Sequence, residues 1–449
     1  MEPMELTFAH GRELAWQVMR AALQAVDPAQ AVRNALRREG SRLRLGDREF
    51  DLDRYRRVLV VGAGKASAPM ARATEEILGD RIEAGLVNVK YGYTDQTRRI
   101  RLHEAGHPVP DQSGLEGTRE IVRLLEGAGE GDLVLCLISG GGSALMILPE
   151  DEITLQDYQA LTNDLLRSGA TINQINTIRK HIERVKGGRL AQIAAPAEIV
   201  TVVLSDVIGN PLDFIASGPT VPDTTTYADA LAVLEQFDLL DRAPRAVVDW
   251  LRRGARGEIP ETPKPGDPLF ATVTTAVIGS NDIAAEAALA EAQRLGFTTH
   301  LLTTYLEGEA REMGKLAAAL AKELVHRGRP ARPPACLILG GETTVTVRGS
   351  GKGGRNQEIA LSAALAMAGV ERALIAALAT DGSDGPTDAA GGFADGQTLR
   401  RAEAKGLDAR AALANNDSYT LLREVGDLLV TGPTNTNVND LLFVFAFPR

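Results

Sequence analysis

Two rhythms of apolar residues alternate along this chain. Short β-branched runs, RRVLVVGAG ending near Gly62, EAGLVNV near Val87, DLVLCLIS near Ser139 and AEIVTVVLS near Ser205, are separated by longer segments with helical spacing. Runs that are apolar at every position suit strands buried on both faces, so the pattern predicts a parallel sheet covered by helices. Ahead of them, residues 11–37 carry Leu14, Val18, Leu23 and Val26 at helical spacing, which predicts two helices packed against a sheet. From Ala243 to Phe270 the text fills with Pro260, Pro263, Pro265 and Pro268 and reads as a linker. The alternation then restarts: TVTTAVIGS, the helix AAEAALAEAQRLG, THLLTTY, an alanine-rich helix to about His326, ACLILGG, TTVTV, a helix from Asn356, ALIAALAT and DLLFVFAF. The expected fold is α/β in two domains, residues 1–245 and 270–449.

Composition narrows the function. A chain of 449 residues is long enough for two to three domains with full cores and no disulfides. Its 49 basic and 59 acidic residues give a formal charge of -10, which argues against nucleic acid as a main partner and leaves anionic ligands to local basic clusters. Cys136 and Cys336 each lie inside an apolar run, as structural thiols do in a reducing compartment. The first residues lack the pattern of a signal peptide, and no apolar run is long enough to span a membrane, so a cytoplasmic protein with no membrane partner is expected. Nothing in the pattern fixes the oligomeric state.

Ligands of open α/β sheets collect at the carboxyl ends of strands. Six such ends, GAGKAS, SGGGSA, SDVIGN, GSND, GGETT and TDGSDG, each carry glycine beside serine or aspartate. In SGGGSA, consecutive glycines let backbone N–H groups approach a phosphate, with Ser139, Gly140, Gly141, Gly142 and Ser143 as the candidate cradle. GAGKAS supplies Gly62, Gly64 and Lys65; it departs from a dinucleotide fingerprint, because Ser67 takes the third glycine position and the next strand ends in Lys90 where an acidic ribose ligand belongs. Lys65 is a compact cation suited to a phosphate or carboxylate. INTIRKHIERVKGGRLA reads either as a surface helix or as an anion site, with Arg179 and Lys186 as candidate substrate ligands and His181 packed. In SDVIGNPLDFIASGPT, Asp206 is placed to hold magnesium or to take a proton from a substrate hydroxyl, and Asn210 to meet the substrate. His107, in GHPVPD, reads as structural. Further on, Glu342 and Asp381 are candidate metal ligands, and Arg355 stands at the mouth of a helix, where a guanidinium stabilises a transferring phosphoryl group. GPTNTNVND, Gly432 to Asp440, reads as a polar loop feeding the last strand.

Taken together, GAGKAS, GHPVPD, LISGGGSAL, INTIRKHIERVKGGRLA, SDVIGNPLDFIASGPT, GGETTVTVRGSGKGGRNQE, ATDGSDGPTDAAGG and GPTNTNVNDLLFVF resemble the class II glycerate 2-kinases, whose C-terminal part carries a MOFRL domain. The resemblance implies a Rossmann-like N-terminal domain, a mixed-sheet C-terminal domain with MOFRL at about residues 332–445, and a cleft between the two. It also implies transfer of the γ-phosphoryl group of ATP, with Mg2+, to the 2-hydroxyl of D-glycerate. Lys65 and Arg355 match the residues proposed in that family to act on the phosphoryl group. The competing reading is an NAD(P)H-dependent hydroxypyruvate reductase, a label some members carry.

Overall fold

The computed structural model describes residues 6–449, and the chain divides into two compact units. One comprises residues 28–205 and 210–278, the other residues up to 27, 206–209 and 279–449.

The first unit opens with an antiparallel meander, β1 (Leu36–Glu39), β2 (Arg42–Leu45) and β3 (Arg48–Asp51). A six-stranded sheet follows, made of β4 (Arg57–Ala63), β5 (Ile82–Lys90), β6 (Ile100–Ala105), β7 (Asp132–Ser139), β8 (Glu198–Leu204) and β9 (Val273–Gly279), in the order β6-β5-β4-β7-β8-β9. Strands β4 to β8 run parallel. Every residue of β7 is buried, as its unbroken apolar run requires. Helices Ser67–Leu78 and Gln112–Glu126 pack on this sheet, the second capped by Asp111, whose carboxylate accepts the Gly114 N–H. From β4 the chain moves outward to β5 on one side and later to β7 on the other, so the carboxyl ends of β4 and β7 flank the point where strand order reverses.

The second unit is a mixed sheet of β10 (Thr298–Leu306), β11 (Ala335–Gly341), β12 (Ala373–Ala379), β13 (Gly391–Asp395), β14 (Leu428–Leu429) and β15 (Asp440–Ala446), ordered β10-β11-β15-β12-β13-β14. Only β10 and β11 pair in parallel; β15 lies antiparallel between β11 and β12. Helices Ala310–Lys322 and Arg355–Ala366 cover it through small residues such as Ala317, Ala321, Ala363 and Ala364. A methyl group on Gly314 would lie 2.4 Å from the Ile359 carbonyl oxygen, so close approach of these helices requires that glycine.

The structure departs from the sequence expectations in three places. Helix Gly11–Ala25 belongs with the second unit: it buries Leu14, Val18 and Met19 against helix Asn281–Arg294, and Arg12 pairs with Asp395 and Asp427. Only helix Pro28–Ala35 stays with the first unit, because amphipathic spacing fixes a helix but not the sheet it covers. The proline-rich stretch is no linker: helix Arg245–Ala255 and the extended residues after it are part of the first unit, with Thr262 and Pro263 buried and the Asp223 N–H donating to the Pro263 carbonyl at 2.9 Å. TTVTV forms no strand; Thr344 makes a single bridge to Glu309, whose carboxylate accepts the Thr346 N–H. Cys136 and Cys336 are buried free thiols, and burial pushes Cys136 up to about 12. No helix among the described residues is long and apolar enough to cross a membrane.

Candidate active site

In the first unit the strand ends on either side of the reversal point interlock. The Lys65 N–H donates to the Gly140 carbonyl at 2.9 Å, and Gly64 N–H to the Asn88 carbonyl at 3.1 Å. The Ser139 hydroxyl is wholly buried; it accepts the Ala66 N–H at 3.0 Å and lies 3.0 Å from the Ser67 hydroxyl. Ser139 therefore builds the GAGKAS turn and does not face a ligand, correcting its place in the expected cradle. Ser67, which broke the dinucleotide fingerprint, is the other half of that contact.

The glycines are likewise explained by protein contacts. A Cβ on Gly62 would sit 2.1 Å from the Leu137 carbonyl oxygen, and one on Gly64, at φ +150°, 2.0 Å from the Ser139 hydroxyl. Gly62 is thus a sheet-packing residue inside β4, not a phosphate contact. On Gly142 a methyl would meet Ala216 at 2.8 Å, and on Gly141, at φ +84°, the His107 ring at 2.8 Å and Lys65 Cγ at 3.3 Å. Gly140 and Gly142 are buried, so of the expected cradle Gly141 and Ser143 reach the surface. Ser143 hydrogen-bonds the buried Ser217 at 2.9 Å, which in turn donates to Asn176.

His107 was read as structural, yet the fold brings it to Lys65 and Gly141. Burial, then the charges of Lys65 and Lys90, push its imidazole down to about 4, so it is neutral near pH 7. Its proline-fixed loop was the available signal, but a single His in a loop carries no address until the sheet is assembled.

Lys186 departs from its expected role. It is fully buried, its ammonium paired with Glu183 at 2.7 Å and donating to the Met146 carbonyl at 2.9 Å, while the other Glu183 oxygen accepts the Leu148 N–H. Desolvation pushes it down to about 8, against the pull of Glu183. It braces the segment leaving SGGGSA from beneath. Arg179, partly exposed on helix Ile172–Ile182, lies near Glu183 and Tyr158; Lys180 is buried on Asp223 at 3.1 Å. His181 is packed, as expected, edge-on to Tyr227 at 4.7 Å. Asn210, at φ +53°, opens the turn that leads to Ser217 and Gly218, both in the left-handed region.

In the second unit Arg355 starts its helix and is clamped by two carboxylates. Its Nε meets Asp440 at 2.5 Å, its Nη2 the other Asp440 oxygen at 3.1 Å, and its Nη1 Glu342 at 2.7 Å. Asp440 begins the central strand β15, opposite Gly341 on one side and Ala379 on the other. Burial pushes its carboxyl up to about 7, with Arg355 opposing. Asp384 caps the same helix, accepting the N–H groups of Asn356 and Gln357, and burial raises it too. Neither acid's role is visible in the sequence: Asp440 closes the polar loop GPTNTNVND and Asp384 lies in TDGSDG. Asp381 follows β12, half-buried, and accepts the Ser383 N–H. Asp206, two residues past β8, is half-buried and groups with this second unit. Among the described residues no three His, Cys, Asp or Glu side chains gather as a metal-binding set, so Asp206, Glu342 and Asp381 are not a preformed cage.

Comparison with known proteins locates this architecture. A domain of unknown function, DUF4147, matches residues 14–252, and the MOFRL family matches residues 335–440. A glycerate 2-kinase of Pyrococcus horikoshii is 47% identical over 432 residues, covering 96% of each chain. The chain belongs to the glycerate 2-kinase family. Within this family a putative hydroxypyruvate reductase of Agrobacterium vitis is 42% identical, over 96% of this chain and 93% of that one. The crystal structure of a glycerate kinase from Thermotoga maritima matches with TM-score 0.88 and 42% identity, over 98% of this chain and 100% of that one. The enzyme is thus a kinase of the glycerate kinase family, built of two α/β units.

Proposed function

We propose that the enzyme transfers the γ-phosphoryl group of ATP to the 2-hydroxyl of D-glycerate, giving ADP and 2-phosphoglycerate. The observation that carries this reading is the near-full-length likeness to a glycerate 2-kinase together with a lysine at the sheet's reversal point that enters no salt bridge among the described residues. Phosphoryl transfer needs positioning and charge stabilisation more than covalent chemistry. Lys65 neutralises charge on the transferred group while Gly141 and Ser143 meet the phosphates, and Arg355 is assigned the same charge-neutralising role by the family resemblance. Asp206 takes the proton of the attacking hydroxyl, or else holds magnesium, as the new O–P bond forms and the bond to ADP breaks. Arg179 and Asn210 contact the substrate.

Magnesium carried on a triphosphate keeps several waters and needs one or two carboxylates, not a cage, and Asp206 and Asp381 are half-buried carboxylates just past the ends of β8 and β12. Asp206 and Asp381 would hold it; Glu342 is engaged by Arg355. When bound, the ion shields the phosphate charge. Lys90 at the end of β5 and the Ser67–Ser139 contact both count against a nicotinamide site, hence against the reductase.

Incubation with ATP, magnesium and D-glycerate, followed by phosphorus NMR of the product, tests the reading. The expected product is 2-phosphoglycerate. Absence of phosphorylated product, or steady oxidation of NADH or NADPH with hydroxypyruvate, would sink it.

A further inference from the structure

The chain holds only nine lysines, and the fold treats them unequally. Lys180, Lys186, Lys264 and Lys315 each pair with a carboxylate. The other five, Lys65 and Lys90 among them, enter no salt bridge among the described residues, although acids outnumber bases in this protein. Both stand at the carboxyl ends of neighbouring parallel strands, Lys65 just past β4 and Lys90 closing β5. Unpaired cations at adjacent strand ends of an acidic protein are placed for anions.

The surroundings of Lys90 keep its ammonium available. Its Nζ rests 4.7 Å from the centre of the Tyr93 ring, a soft anchor that leaves its N–H donors to an incoming group. The acids close by in sequence are turned to their own chain. Asp111 accepts the Tyr91 hydroxyl and the Gly114 N–H, and Glu104 accepts the Gly92 N–H. Both lysine charges bear on the half-buried His107 ring, whose loop is tied down by Gln159 donating to the Pro110 carbonyl at 2.6 Å. A neutral imidazole offers one N–H donor without adding a third positive charge.

Position separates the two cations. Lys65 is stitched to Gly140 and touches the space above Gly141, so it belongs with the phosphate loop. Lys90 lies one strand further out. A small hydroxy acid has a single charged group, its carboxylate, which needs a cation apart from the one serving the phosphoryl group. We propose that Lys90, with His107, holds the carboxylate of the hydroxy-acid substrate and so sets the preference for an acid over a neutral polyol. The assignment rests on the glycerate kinase reading of this site.

The test uses the full-length enzyme and the variants Lys90→Gln and Lys90→Arg, with thermal melts to check folding. Initial rates are measured with D-glycerate varied at saturating ATP, then the reverse, and with glycerol, which lacks the carboxylate. Loss of one charge-assisted contact should raise KM for D-glycerate about 10- to 100-fold in Lys90→Gln. KM for ATP should stay within about twofold, the preference for glycerate over glycerol should fall by the same factor, and Lys90→Arg should recover part of the loss. An unchanged glycerate KM, or a rise in KM for ATP instead, overturns the proposal, the latter assigning Lys90 to the nucleotide. Calorimetric titration of D-glycerate without ATP separates this failure from that of the kinase reading. If the wild type phosphorylates nothing yet binds glycerate in a Lys90-dependent way, the subsite stands and the kinase reading falls; if it binds no glycerate, the subsite falls. A bound carboxylate should also move the His107 titration upward from about 4, followed by NMR, and no movement counts against the subsite.

Discussion

The two units place positive charge at strand ends by opposite means. In the first, Lys65 and Lys90 have no carboxylate partner among the described residues, and Lys65 is positioned by backbone: a turn locked through Gly64, Ser139 and Gly140. In the second, Arg355 is gripped by Asp440 and Glu342, a fork of fixed geometry answered by two acids. A lysine needs only a place for its stem, so glycine packing suffices. A guanidinium aimed in one direction needs acceptors to hold it, which lowers its net field and ties it to the protonation of a buried acid.

The sharpest way to break this comparison is to remove each cation. Lys65→Ala and Arg355→Ala should each lower turnover on the order of 10³, about 4 kcal/mol of transition-state stabilisation. Near-normal kcat in either variant would remove that residue from the mechanism. Next in size is Lys186→Met, which strands Glu183 as an uncompensated buried charge and should cost about 3 kcal/mol or more in urea unfolding. Glu183→Gln in the same chain should restore part of it, and a neutral single variant would mean the brace beneath SGGGSA is dispensable.

The clamp itself can be probed by pH. Asp440 holds its proton up to about 7 in the fold but gives it up near 4 when unfolded, so its contribution is full below about pH 4 and lost as pH rises through about 7. Comparison of unfolding free energies at pH 4.5 and 7.5 should show wild type losing about 2 to 3 kcal/mol relative to Asp440→Asn. Parallel curves for the two proteins would mean that Arg355 keeps Asp440 ionised throughout. The smallest effect concerns the lysine's turn: Gly64→Ala should destabilise the enzyme by about 2 kcal/mol, because its methyl would overlap the Ser139 hydroxyl in a left-handed backbone. Unaltered stability there would show that the turn yields easily and that backbone packing alone does not position Lys65.

Strand runs such as DLVLCLIS, the strand-end motifs and the family resemblance were legible in the text, because burial on two faces and glycine beside a turn leave local marks. The pairing of Ser139 with Ser67, and the clamp of Asp440 on Arg355 across 85 positions, left none. Glycines written as if for a ligand proved to be shaped first by protein neighbours, since a missing Cβ looks the same in sequence whichever atom fills its space.

By itself, then, the sequence determined the fold class and the glycine-rich strand ends, and put forward Lys65 and Arg355 as candidate cations, because periodicity and turn chemistry are local properties of the chain. Tertiary structure alone decided that helix Gly11–Ala25 serves the C-terminal unit, that Lys186 is sealed inside, and that Lys90 and His107 share the surroundings of Lys65. Those outcomes depend on which surfaces meet, and such meetings are set by packing and charge between residues far apart in the chain.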